Sequence, residues 1–405
     1  MKNKNASLSF IFFTILIDVI GFGIIIPVLP SLIESLHGSG LSEASRIGGW
    51  LIFSYSFMQF FFAPFLGSLS DRFGRKPILL IALFGLGLDY LLHAYAPSLT
   101  WLFVGRIIAG ICGASYTVAT AYIADISAAE EKAKNFGVIG AAFGLGFIIG
   151  PVIGGLAAKY SIQLPFLIAA GLTLLNFFYG WFILPESLAV ENRDTQLNFR
   201  KANPVGSFKL LSQKGLVSAL AIAFFLLYLA SHAVQSTWTF FSMYKFDWDE
   251  TKVGYSLGVV GVAVAIVQGL LVKRFVLWFG ELKTIFIGYS MWIIGLLLFA
   301  FATEGWMLFV FVLPYCLGGV ATPTLQSTLS NQYSNQEQGK LQGALTSLIA
   351  LTAIFGPLIM TNIFYAFTQE DSGFHFPGSP FVLAALLILL SMIISLAAFR
   401  KRLLD

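Results

Sequence analysis

The sequence predicts an all-α polytopic membrane protein, with twelve transmembrane helices arranged as two pseudo-symmetric six-helix bundles. Three observations carry that reading. Hydrophobic residues make up 57% of the 405 positions and charged residues only 11%, against about 25% charged in soluble domains. Apolar runs long enough to cross a bilayer as helices, roughly 20 residues each, recur along the whole chain. Basic residues collect in alternate connections between those runs.

The runs fall at 8–30, 46–66, 77–96, 100–123, 135–158 and 164–184, then at 215–241, 253–275, 283–302, 305–328, 340–367 and 379–399. A helix satisfies every backbone polar group within one segment, as hydrocarbon demands. Lys2 and Lys4 ahead of the first run suggest a signal peptide. That run, however, continues from Leu8 to Leu29 with Asp18 near its centre and no Ala-x-Ala site, so it reads as a first span. The side holding the N-terminus collects nineteen Lys and Arg residues, and the other side only Arg46, Lys159, Lys245 and Lys252. Positive charge marks the cytoplasmic side, which places both termini there. The longest polar connection, 185–214, reads as a cytoplasmic linker between bundles at 1–184 and 215–405, with a short amphipathic helix from Phe199 to Leu211. The halves echo each other. Gly67-Ser-Leu-Ser-Asp71-Arg72-Phe73 follows span two, and Gly269-Leu-Leu-Val-Lys273-Arg274-Phe275 follows span eight. Duplicated halves are a transporter architecture.

Several classes fall away. The net charge of +4 is small and dispersed, so no nucleic-acid stripe exists. Cys112 and Cys316 lie in apolar runs and read as packing residues rather than as a disulfide or metal site. No Gly-x-x-x-x-Gly-Lys-[Ser/Thr] loop signals ATP, and no metal-ligand spacing or His-Asp-Ser set signals an enzyme. The expectation is a transporter without cofactor.

The strongest motif is Gly67-x-x-x-Asp71-Arg72-x-Gly74-Arg75-Lys76-Pro77, in a very short connection between spans two and three. A topogenic charge cluster needs only Arg and Lys. It does not account for the glycine spacing or for the acid ahead of the bases. Gly67 suits close helix approach, Gly74 a tight turn, and Pro77 the first turn of the next helix. The segment resembles the signature loop of the major facilitator superfamily. That resemblance implies a cytoplasmic gate in which Asp71 engages the second half and Arg75 engages an acid ending span four, the place filled by Asp125.

In span five, Gly140-x-x-x-Gly144-x-Gly146-x-x-x-Gly150-Pro151-x-x-Gly154-Gly155 offers small residues for close backbone packing and a proline that permits a bend. Generic helix packing explains the glycines alone. Together with Gly150-Pro151 the run resembles the antiporter motif of drug–proton exchangers, to which Gly144, Gly146, Gly150, Pro151, Gly154 and Gly155 correspond. Span eleven carries its own Gly356-Pro357.

Three charges lie inside spans: Asp18 in span one, Asp89 in the outer half of span three and Arg106 in the outer half of span four. A central Asp or Arg costs about 2.5–3.5 kcal/mol, so such groups face a cavity or each other. An ion pair that fixes helix positions is the bland reading. Burial disfavours a carboxylate while a neighbouring arginine favours it, and an acid balanced between the two can exchange a proton. The stretches 12–30 and Leu88-Asp89-Tyr90-Leu91-Leu92, with Gly105-Arg106, Gly110 and Ile123-Ala124-Asp125, resemble the tetracycline-resistance efflux pumps. This implies proton coupling or substrate passage at Asp18, Asp89 and Arg106. Tyr55, Gln59, Gln268 and Gln326 are candidate cavity residues. One position departs: where those pumps carry a histidine in span eight, Val264 aligns. None of His37, His93, His232 or His375 is an obvious substitute, and His232 inside span seven is either functional or a satisfied polar residue. The 41 phenylalanines read mainly as lipid-facing or packing groups. Span ten, with Pro314, Gly318, Gly319 and Pro323, is expected to bend.

These features together predict a proton-coupled exporter of small organic compounds that works by alternating access. The expected setting is a bacterial inner membrane, with small molecules, protons and lipid as partners and a functional monomer. A same-fold carrier for a metabolite such as a siderophore or amino acid, possibly importing, is the nearest alternative. A membrane enzyme and a non-transporting sensor or scaffold stand further off.

Overall fold

The computed structural model describes residues 2–113, 115–128, 131–193, 215–334 and 337–404, and no strand occurs among them. The chain runs through α1 (Lys2–Ile25), α2 (Leu29–His37), α3 (Leu41–Phe73), α4 (Arg75–Ala94), α5 (Leu99–Cys112), α6 (Ser115–Ile126), α7 (Lys132–Ala158) and α8 (Leu164–Ile183). It continues through α9 (Leu216–Phe246), α10 (Glu250–Ile266), a π-helical turn (Val267–Leu271), α11 (Val272–Phe301), α12 (Gly305–Gly318), α13 (Ala321–Ser330), α14 (Gln338–Ala366) and α15 (Ser379–Leu404).

Eleven continuous stretches among the described residues are long and apolar enough to span a bilayer. One of them, Glu250–Phe301, has 52 residues, more than twice the roughly 20 a span needs. It turns at Gly280, whose φ of 76° only glycine adopts without cost, and so contains both spans eight and nine. Large apolar side chains such as Trp181, Phe182, Leu277, Trp278 and Trp306 stand more than half exposed, as lipid-facing groups do.

Breaks in the helices have identifiable causes. The first apolar run does not continue to residue 30. It turns after Ile25, and Pro30 opens α2 in its first turn, where the missing amide hydrogen is no loss. Span four divides at Gly113, between α5 and α6. Span ten divides at Gly319–Val320, where amides 319 and 320 bond back to the carbonyls of Cys316 and Leu317. That is the expected bend. The proposed linker helix from Phe199 to Leu211 lies outside the described residues.

Two compact units are present. The first comprises 1–39, 54–202 and 248–258; the second comprises 40–53, 203–247 and 259–405. They depart from the sequence division at 40–53 and 248–258. In the second unit Ser42 bonds Thr368 at 2.7 Å. In the first, Thr251 donates to the Gly155 carbonyl at 3.0 Å. Within the first unit α1 packs on α7 and α8, and α4 on α5, α6 and α8. Within the second, α9 packs on α14 and α15, and α11 on α12, α13 and α15. The same pattern of neighbours in each unit is what the internal sequence echo anticipates. The core of the first unit gathers Phe10, Ile11, Ile15, Leu79, Leu83, Val118, Tyr122 and Ile139, so the faces of α1, α4, α6 and α7 that meet there are fixed by apolar packing.

Candidate functional site

Helix α4 presents Asp89 and His93 one turn apart, and residues at that spacing share a face. Both are fully buried. From α5, Arg106 reaches between them. Its Nη2 lies 2.7 Å from Asp89 Oδ2 and its Nε donates to His93 Nε2 at 3.1 Å. The preceding residue makes this approach possible: a Cβ on Gly105 would sit 2.6 Å from both Asp89 Oδ1 and His93 Cε1. The opposite ring nitrogen, Nδ1, is 2.9 Å from the Asp89 carbonyl oxygen and 2.9 Å from Oδ1. Phe166 of α8 stacks on the imidazole at 5.8 Å between centroids.

Around this centre lie the other sequence-predicted groups of the first unit. Asp18 of α1 lies beside Ser115 of α6, and its Oδ1 is buried with no hydrogen-bond partner among the described residues. Tyr90, next to Asp89 on α4, has its hydroxyl 2.6 Å from a would-be Cβ on Gly21, one turn along α1 from Asp18, so the three charges share one region of the first unit. The guanidinium of Arg106 lies 5.9 Å from the Tyr55 ring centroid. Gln59 donates to the Tyr55 hydroxyl at 3.2 Å and to the Gly113 carbonyl at 3.1 Å, which ties α3 to the break in span four. Gln268 and Gln326 belong to the second unit. Gln268 is exposed on the π-helical turn, a feature frequent at functional sites. Gln326 bonds Gln342 at 3.0 Å. His232, also in the second unit, packs against Gly356.

A second cluster surrounds the turn between α3 and α4. Gly74 has φ 102°, the conformation its position in the motif anticipates. Arg75 then enters with Nη1 2.6 Å from Asp71 and Nε 3.0 Å from Asp125. Ser70 accepts from the same Nη1 at 2.6 Å. Asp71 is thus engaged by Arg75 in its own unit. Among the described residues Gly67 makes no close helix approach: the nearest atom to its would-be Cβ is Thr117 Cγ2 at 3.9 Å. Arg72 rests on the Phe73 ring at 5.2 Å, and Lys76 Nζ donates to the Trp181 carbonyl at 3.0 Å. Sequence reasoning missed Glu186. Its carboxylate accepts from the amides of Arg75 at 2.8 Å and Lys76 at 3.2 Å, where the positive end of a helix favours an anion. An acid directly after Pro185 at the end of an apolar run was the available signal.

A third feature is the crossing of α1 and α7. A Cβ on Gly146 would meet Val19 Cβ at 2.7 Å, and one on Gly150 would meet the Ile20 carbonyl at 2.7 Å and Gly23 Cα at 2.9 Å. Gly154 faces Ile24, and Pro151 Cδ comes close to Gly23. Gly155 turns instead to Glu250 and Thr251. Nothing among the described residues lies within 4 Å of a Cβ built on Gly140 or Gly144, so the close backbone packing expected of the run holds for its later glycines only. The two early glycines point away from the crossing.

The profile of the Major Facilitator Superfamily matches residues 11–357 and again 220–403. The chain belongs to the Major Facilitator Superfamily. This member is 42% identical over 373 residues to the class C tetracycline resistance protein of Escherichia coli, with 92% of this chain and 93% of that one covered. It is 37% identical to the class H tetracycline resistance protein of Pasteurella multocida, over 98% and 97% of the two chains. Among solved structures the superfamily member resembles the nucleoside transporter NupG, with TM-score 0.75, 15% identity and coverage of 98% and 99%. It also resembles the human organic anion transporter MFSD10, with TM-score 0.70, 24% identity and coverage of 97% and 99%. These two likenesses establish the fold. The expected fold class and family are borne out.

Proposed function

We propose that this superfamily member exports tetracycline or a chemically similar drug from the cytoplasm, by alternating access, in exchange for protons entering down their gradient. The observation that carries the reading is the buried Asp89–Arg106 pair at 2.7 Å, in one cluster with the unpartnered carboxyl oxygen of Asp18. Charges so buried in a spanning helix are costly and are retained where they move ions or substrate. Similarity to tetracycline resistance proteins over nearly the whole chain supports the substrate class and a bacterial inner membrane as the setting.

On this reading Asp18, Asp89 and Arg106 exchange the proton for the drug. The Arg75–Asp71–Asp125 cluster acts as a cytoplasmic latch, and the glycine crossing of α1 and α7 holds the helices close enough to rock as a body. Both termini are cytoplasmic, the monomer is sufficient, and the proton gradient is the energy source, with no bound cofactor. Everted membrane vesicles energised by respiration test this. Wild-type vesicles accumulate labelled tetracycline and lose it on addition of a protonophore, whereas Asp18→Asn vesicles do not accumulate it. Accumulation that survives the protonophore, or that Asp18→Asn leaves intact, contradicts the assignment.

A further inference from the structure

His93 has no part in the proton route drawn from the carboxylates, yet it bonds both Asp89 and Arg106, two of the groups that route uses. Arg106 has only donors, and Nε of its guanidinium points at His93 Nε2. That nitrogen must therefore present a lone pair. A backbone carbonyl only accepts, so Nδ1, bonded to the Asp89 carbonyl at 2.9 Å, must carry the ring hydrogen. The two partners together require a neutral imidazole of one tautomer. Arg106 thus occupies the one position on the ring where a proton could bind.

The surrounding charges make that competition consequential. On α4 the ring faces Asp89, whose Oδ1 is 2.9 Å from Nδ1 yet buried without a hydrogen bond among the described residues. On α5 it faces Arg106, and from α8 the uncharged ring of Phe166 covers it. The site holds one carboxylate and one compensating cation. Should Arg106 swing away, the buried Asp89 carboxylate loses its partner, at a cost of several kcal/mol. An acceptor stands in the same cluster, the unpartnered Oδ1 of Asp18.

We propose that His93 is a further exchangeable proton site of the first unit, beside the carboxylates, and that Arg106 and a proton compete for its Nε2. When Arg106 leaves, a proton from water binds the Nε2 lone pair, and the imidazolium takes over as counter-charge to Asp89. When Arg106 returns, its N–H displaces that proton to water. The charge of the Asp89 site is unchanged through the cycle, so the movement of one guanidinium is converted into the movement of one proton. The inference rests on the proton-coupled reading for its purpose but not for its chemistry.

Two measurements test it. The first is solid-state NMR of histidine ring nitrogens in reconstituted protein at pH 7, with His93 assigned by difference from His93→Gln; the chain has four histidines. The wild type shows a neutral ring with hydrogen on Nδ1, and Arg106→Met shows an imidazolium at His93. A ring that stays neutral in Arg106→Met, with the proton on Asp89 instead, overturns the proposal. This result does not depend on any substrate, so it stands even if drug export fails. The second compares His93→Gln with wild type in proteoliposomes. Accumulation driven by the gradient falls at least tenfold in the variant, and its dependence on pH is altered. Undiminished gradient-driven accumulation with an unaltered pH profile overturns it equally.

Discussion

The crossing of α1 and α7 makes a prediction with its own internal control. Gly150→Ala places a Cβ 2.7 Å from the Ile20 carbonyl oxygen and 2.9 Å from Gly23 Cα, both backbone atoms, whereas Gly144→Ala meets nothing within 4 Å among the described residues. Restoring ordinary contact of about 3.4 Å at residue 150 requires the two helices to part by about 0.7 Å, and overpacking of this kind costs about 1–3 kcal/mol. Both substitutions also gain helix propensity, about 1 kcal/mol for alanine over glycine. Gly150→Ala is therefore expected to destabilise by up to about 2 kcal/mol, and Gly144→Ala to be neutral or stabilising by up to about 1 kcal/mol. Reversible unfolding in mixed micelles, followed by tryptophan fluorescence, measures both on one scale. Equal effects at the two positions, or a more harmful Gly144→Ala, would refute the packing argument.

Further outcomes follow from the same contacts. In a His93→Gln background, which removes the alternative counter-charge, Arg106→Met is expected to cost about 3–5 kcal/mol. Adding Asp89→Asn then restores most of it; the same micelle unfolding reads the cycle, and simple additivity of the two losses contradicts a buried pair. Gly105→Ala pushes against Asp89 and His93 at 2.6 Å and is expected to reduce gradient-driven transport at least tenfold while expression persists; wild-type transport rates in this variant count against the triad's geometry. Glu34, outside the apolar spans, is raised above its ordinary value of 4.5 by burial and by the neighbouring Glu250 carboxylate. The neutral form is thus favoured in the folded state. Its contribution to stability is complete below pH 4.5 and is lost as pH rises through the elevated value. Glu34→Gln is expected to melt higher than wild type at pH 7 and alike near pH 4. A difference independent of pH rejects the assignment.

The spans were legible because lipid leaves a helix few alternatives, and the turn at Gly74 was legible because charge and glycine spacing coincide there. The phase of the span-five glycines was not. Successive helical residues turn about 100°, so Gly144 and Gly146 stand about 200° apart, and a list of small residues does not reveal which face meets α1. Gly146, Gly150 and Gly154 do; Gly140 and Gly144 do not. The Asp89–Arg106 pair was anticipated as two intramembrane charges, but the role of His93 was passed over. Its position one turn from Asp89 was visible, and its contact with Arg106 depends on how α4 packs on α5. Glu186 was visible as an acid directly after Pro185, but its partners are backbone amides at the start of α4 that no sequence pattern displays. The break at Gly113 likewise depends on Tyr55 and Gln59 from a different helix.

The central claim, exchange of drug for protons, is tested most directly in purified protein reconstituted into liposomes with a lumenal pH dye and no other energy source. An imposed drug gradient is predicted to drive protons in the opposite direction and shift the dye, and Asp18→Asn is predicted to abolish that shift. Drug movement without any accompanying proton movement in the wild type would contradict the account.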